Sequence, residues 1–144
     1  PEAKALAKSF EGNKGRHIWP VDKGITSIGY GTYADKLYPA LKHFNNGVTI
    51  ATESGSDARA IYDGEVMSVM ISRQGIKGVY IRHGDYITMY YNLKDVSVKE
   101  GDKVISKQSL GTLHTDKVSG QTLLKFYLYK NTTRLNPEQW IYRL

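Results

Sequence analysis

From Ile18 onward, the period of apolar and polar residues is mostly two, and Gly, Asp and Asn interrupt the alternation at short intervals. A period of two marks strands with one buried face, because successive side chains leave a strand on opposite sides. Val, Ile, Thr and Tyr, which suit a pleated surface, fill these runs. The predicted class is therefore all-β and mostly antiparallel, a sandwich or grooved sheet with few short helices. The 144 residues suffice for one core and are too few for two ordinary domains. The first ten residues differ: their Ala, Leu and Lys favour a helix, which Glu11 to Gly15 then break with two glycines and an asparagine. Residues 1–15 read as the tail of an upstream helix and its linker, and 16–144 as the domain.

Alternation also assigns faces. In Leu123 to Tyr129 the set Leu124, Phe126 and Leu128 is expected inside, opposite Leu123, Lys125, Tyr127 and Tyr129. In Tyr86 to Leu93 the set Ile87, Met89, Tyr91 and Leu93 is expected inside, opposite Tyr86, Thr88, Tyr90 and Asn92. Val48 and Ile50 likewise oppose Asn45, Gly47, Thr49 and Ala51 if that stretch is extended throughout. Asp63-Gly64 carries the residue pair of a type I′ turn and predicts a hairpin between Ala58 to Tyr62 and Glu65 to Ile71. His83-Gly84-Asp85 and Glu100-Gly101-Asp102 read as further turns. Tyr33 to Phe44, with Pro39 inside it, is less strand-like and reads as a loop or short helix on the rim.

The absence of cysteine excludes disulfides and thiolate metal sites, which leaves four histidines and the carboxylates as ligands. The net charge of +6 suits an anionic partner, but Lys and Arg are scattered and no nucleic-acid module accompanies them, so no nucleic-acid partner is expected. No apolar run approaches the roughly 20 residues of a membrane span. The chain begins at Pro1 and not at Met, which reads as a fragment whose targeting segment lies elsewhere.

The order of several short segments carries more information than any of them alone. Trp19-Pro20-Val21, Asn46-Gly47-Val48, Ala60 to Val66, Tyr80 to Gly84, Thr88 to Leu93, Val98 to Val104 and Leu135 to Trp140 together resemble the landmarks of lysostaphin/LytM-type zinc endopeptidase domains, from about Arg16 to Leu144. The resemblance implies a LytM-like fold built on a duplicated hybrid motif. Active members bind zinc with a histidine, an aspartate four residues on, and the second histidine of a His-x-His pair. Here those positions fall on Asn45, Thr49 and Lys125. The two proton-handling histidines fall on Leu123 and Asn92. Neutral oxygens and a lysine ammonium make a poor zinc site, and neither Leu nor Asn can shuttle a proton near neutral pH. The resemblance therefore implies a degenerate, non-enzymatic site with no metal and no cofactor.

Within that family the pattern is most similar to EnvC-type murein hydrolase activators. This implies a periplasmic, non-catalytic activator of cell-wall N-acetylmuramoyl-L-alanine amidases in septal peptidoglycan splitting. Its partners would be an amidase and peptidoglycan, with an upstream coiled coil contacting a division membrane complex. The groove expected to bind the partner comprises Asn45, Thr49, Asn92, Leu123 and Lys125, with Tyr90 and Tyr127 beside them and the 33–44 segment as its rim. Tyr is over-represented in protein contacts, yet it is equally an ordinary strand residue. The alternatives are a non-catalytic peptidoglycan-binding module and a residual endopeptidase, the latter requiring a rebuilt metal site from His43, His114 and a carboxylate. A biotinyl or lipoyl carrier shares only the Val98 to Val104 segment and lacks the exposed hairpin lysine such carriers need.

Overall fold

The computed structural model describes residues 2–144. One helix, α1 (Glu2–Gly12), precedes twelve strands: β1 (Ile25–Ile28), β2 (Gly31–Ala34), β3 (Lys42–Asn45), β4 (Val48–Thr52), β5 (Asp57–Arg59), β6 (Gly64–Ile71), β7 (Lys77–His83), β8 (Tyr86–Leu93), β9 (Lys103–Val104), β10 (Ser109–Thr112), β11 (Thr122–Lys130) and β12 (Thr133–Leu135). A 3-10 turn at Pro137–Gln139 follows. The large sheet runs β1-β4-β11-β8-β7-β6-β9, with β12 also on β11, and β5–β10 and β2–β3 form two small sheets. Every pairing between named strands is antiparallel, so the predicted all-β antiparallel class holds.

The core lies on one face of the large sheet. Leu124, Phe126 and Leu128 of β11 are wholly buried, as their alternation predicts, beside Val48 and Ile50 of β4 and Val79 and Ile81 of β7. Ala58, Ile61, Leu110 and Leu113, from β5, β10 and their flanks, join the same cluster. The Asp63-Gly64 hairpin does not form: β5 pairs with β10, and β6 pairs with β7 and β9. Gly64 is required for close packing. A Cβ there would lie 2.5 Å from the Arg82 carbonyl oxygen, and Asp63 accepts the Ser106 N–H at 2.8 Å. The pair thus marks the crossing from the small sheet to the large one. The 33–44 segment, expected as a loop or short helix, is instead the antiparallel hairpin β2–β3, with Pro39 in its tip where no ladder hydrogen bond is needed.

The helix is seated on the sheet. At eleven residues it is marginal in isolation, so tertiary contact must hold it. Ala3 and Ala7 face Gly84 of the β7–β8 turn so closely that a Cβ on Gly84 would meet the Ala3 carbonyl oxygen at 2.4 Å. One turn on, Phe10 is fully buried, with the rings of His17, His83 and Tyr86 centred 4.2, 4.7 and 4.9 Å away and Trp140 at 5.6 Å. Glu11 accepts a hydrogen bond from the Tyr86 hydroxyl. The last turn of α1 is therefore part of the core. Phe10→Ala is expected to lower the unfolding free energy by about 3–5 kcal/mol, the usual range for a buried phenylalanine; urea titration measures it, and a loss below about 1 kcal/mol would mean that the aromatic cluster holds without the helix.

Candidate functional site

The face of the large sheet opposite the core presents three aligned rows. Lys125 of β11 stands between Thr49 of β4 and Tyr91 of β8. The next row is Tyr127, Met89 and Tyr80, across β11, β8 and β7. The third is Arg134, Tyr129, Ile87 and Arg82. Residues directly opposite in antiparallel strands share a face, so these side chains form one continuous surface. Two glycines give the rings room. A Cβ on Gly78 would lie 2.9 Å from the Tyr91 ring, and one on Gly47 would lie 2.7 Å from that of Tyr127. The rings are half-buried and Lys125 is exposed. Burial, and then the neighbouring Tyr129, Tyr91 and Tyr80, push the Tyr127 hydroxyl above its ordinary pKa. Lys125, Arg82 and Arg134 make the surface basic as well as aromatic, and among the described residues Lys125 has no carboxylate partner.

The residues singled out from the sequence gather at one end of this face. Asn45 closes β3, and its amide donates to the carbonyls of Ile28 and Gly29 at 3.2 and 3.1 Å. Ile28 is the β1 partner of Thr49, which in turn pairs with Lys125. Asn92 sits at the end of β8 in a left-handed conformation, φ 90°, and donates to the Leu123 carbonyl at 2.7 Å. Asn45, Thr49, Lys125, Leu123 and Asn92 thus surround the junction of β1, β4, β11 and β8, with Tyr127 one row beyond.

Tyr90 does not belong to that surface. The faces of β8 are the reverse of those expected: Tyr86, Thr88 and Tyr90 are buried in the core, while Ile87, Met89 and Tyr91 look out. Burial of these polar tips is tolerated because each is hydrogen-bonded. The Tyr90 hydroxyl accepts the Ile61 N–H at 3.0 Å and shares a 3.0 Å hydrogen bond with Thr88, whose hydroxyl meets His83 Nε2 at 2.8 Å. His83 Nδ1 completes the chain by donating to the Asp63 carbonyl at 2.7 Å. The left-handed Asn92 then breaks the alternation and returns Leu93 to the interior. The aromatic residues of the open face that sequence reasoning missed are Tyr80 and Tyr91. For Tyr91 the signal lay in Gly78, whose missing side chain seats its ring.

The donors at the ligand-like positions do not fit zinc. The Asn45 side chain is committed to backbone groups, Thr49 is 5% exposed, and Lys125 brings a positive charge. The histidines do not rebuild a site either. His17 contacts the Phe10 carbonyl, His43 pairs with Asp35 at 2.9 Å, and His83 is bound into the core. His114 lies on the segment after β10, its N–H bonded to the Asn92 carbonyl. Among the described residues, no three His, Asp or Glu side chains are grouped to hold a metal.

The pattern of Peptidase family M23 matches residues 43–137. The chain belongs to that family. An uncharacterized metalloprotease of Buchnera aphidicola subsp. Baizongia pistaciae (strain Bp) is 30% identical over 100 residues, 69% of this chain, which spans only 24% of that relative's length. Among solved structures, a mutant catalytic domain of the prophage-encoded M23 protein EnpA from Enterococcus faecalis is 25% identical, with a TM-score of 0.67 over 81% of this chain and 91% of that one. The SpoIIQ–SpoIIIAH pore-forming complex contains a chain 22% identical, with a TM-score of 0.68 over 91% and 93% of the two chains, a likeness of fold. The M23 match begins at His43 and ends at Pro137, so it takes in β4, β8 and β11 and with them the whole open face.

The buried network gives this M23 domain a pH-dependent stability. Burial is the main cause that lowers the His83 pKa from 6.5 to about 4, and burial lowers that of His17 as well. A base whose folded pKa is depressed binds its proton more readily when unfolded, so its contribution is complete above pH 6.5 and is lost as pH falls toward 4. For His83 that loss is on the order of 3 kcal/mol. Urea titrations at stepped pH should show the decline across this window, and a flat profile would show that His83 is not held neutral in the fold.

Proposed function

We infer that this M23 domain is a non-catalytic activator of a cell-wall N-acetylmuramoyl-L-alanine amidase, acting in the periplasm during septal peptidoglycan splitting. The observation that carries the reading is Lys125. By resemblance, Lys125 takes the position of one of the family's zinc-binding histidines, and its exposed ammonium stands at the head of an aromatic, basic face. Such a face cannot polarise a carbonyl as a metal does, but it suits recognition. Half-buried Tyr and Met side chains offer apolar area at modest entropic cost, and the surrounding cations select an acidic partner. A helix laid along the rows would place its apolar stripe on Tyr91, Met89, Tyr127 and Tyr80, with a carboxylate reaching Lys125. Activation then follows if the amidase helix is available only in the open enzyme, since a ligand shifts an equilibrium only by its preference for one state.

A second reading, a peptidoglycan-binding module without activating function, draws on the same tyrosines and positive charge. Dye release from labelled sacculi separates the two. The domain alone should release nothing, the amidase little, and the mixture much more. Lys125→Glu should reduce the stimulation by about tenfold or more while leaving the urea midpoint unchanged, because the side chain is exposed. Undiminished stimulation by that variant would take Lys125 out of the interface. Pelleting of the domain with sacculi, with no stimulation of any amidase, would favour the binding module.

A further inference from the structure

The β2–β3 hairpin stands off the large sheet, its paired residues alone reaching roughly 13 Å at 3.3 Å each. Its tip reads Lys36-Leu37-Tyr38-Pro39-Ala40-Leu41-Lys42, and Leu37, Tyr38 and Leu41 are 82%, 69% and 51% exposed. Single exposed apolar residues are ordinary on a protein surface; a contiguous run at a projecting tip is not.

The tip is held open from within. Asp35 accepts the N–H groups of Leu37 and Tyr38 at 3.0 and 2.9 Å and contacts His43 Nε2 at 2.9 Å. Its own N–H donates to the Leu41 carbonyl at 2.9 Å, and the Leu41 N–H donates to the Tyr38 carbonyl at 2.8 Å. Those bonds fix the turn, so the apolar side chains are displayed and not folded back. They also occupy the only carboxylate between Lys23 and Thr52. The tip therefore has an apolar end, a lysine at each side and no free negative charge.

That combination fits a lipid surface better than a protein pocket. Protein interfaces carry about one hydrogen bond per 100–200 Å², yet from Leu37 to Leu41 the only polar side-chain atom is the Tyr38 hydroxyl. Pro39 brings no N–H to be desolvated. Leucine favours the acyl boundary, tyrosine the headgroup level, and lysines reach from apolar surroundings to phosphates. We propose that the β2–β3 hairpin is a membrane-contact element, which inserts Leu37, Tyr38 and Leu41 into the interface of an anionic bilayer and sets Lys36 and Lys42 on its phosphates. The contact uses the hairpin tip and none of the residues on the open face of the large sheet, so its test reads lipid binding without any amidase.

Flotation with vesicles tests it directly. The protein should rise with vesicles of phosphatidylethanolamine and phosphatidylglycerol at low salt, remain behind with phosphatidylcholine, and detach as salt rises. The triple variant Leu37→Ser, Tyr38→Ser, Leu41→Ser and the double variant Lys36→Glu, Lys42→Glu should each lower the bound fraction by about tenfold. Unchanged thermal unfolding would show that both variants fold. In a Tyr38→Trp variant, corrected for the native tryptophans, brominated acyl chains should quench the added emission. Failure of the parent protein to float with anionic vesicles overturns the proposal. So does undiminished flotation of the triple variant, which would assign binding to the net charge of +6 alone, or an added indole emission that bromine leaves untouched in the bound state.

Discussion

The register of β11 is the constraint on which everything else rests. This nine-residue strand pairs with β8 along one edge and with β4 and then β12 along the other. Leu124, Phe126 and Leu128 fill the interior from it, while Lys125, Tyr127 and Tyr129 furnish the open face. A slip of one residue would exchange the two sets, putting a lysine in the core and three large apolar groups in water. The burial that stabilises the sheet and the surface offered to a partner are thus two sides of one pairing.

How much of this could be read from the sequence depended on the polarity of the side chains involved. β11 was legible because its inward residues are purely apolar and its outward set includes a lysine. β8 was not, because both of its sets contain hydroxyls and large apolar groups. Its facing is decided by where Thr88 and Tyr90 find partners, in Ile61 and His83, which the alternation within β8 does not reveal. The same limit explains Asp63-Gly64. A two-residue signal reports local φ preference, whereas here Gly64 is needed for close approach to another strand.

At the junction, the nearness of these residues was legible and their setting was not. Asn45, Thr49, Asn92, Leu123 and Lys125 do meet at one junction, although Asn45 and Thr49 stand on different strands and not on one continuous run. Asn45 and Asn92 act there mainly on backbone groups, tying β3 to β1 and the end of β8 to β11. Both side chains thus serve as structural braces, and the charge at the junction comes from Lys125.

Glycines 47 and 78 carry a consequence for how this surface can change. Neither lies on β8 or β11, the strands that bear Tyr91 and Tyr127, yet the space each leaves is what lets those rings lie low. The relief of the face is therefore carved by subtraction, at places beneath the rings. A single carbon added at Gly78 would press first on the Tyr91 ring and tilt it outward, altering the contour a partner meets without replacing any residue the partner touches. At Gly47 the same carbon would also strike the Phe126 carbonyl, so that change would reach the strand itself. Shape selectivity and contact chemistry can in this way drift separately, the first through the foundations and the second through the side chains that stand on them.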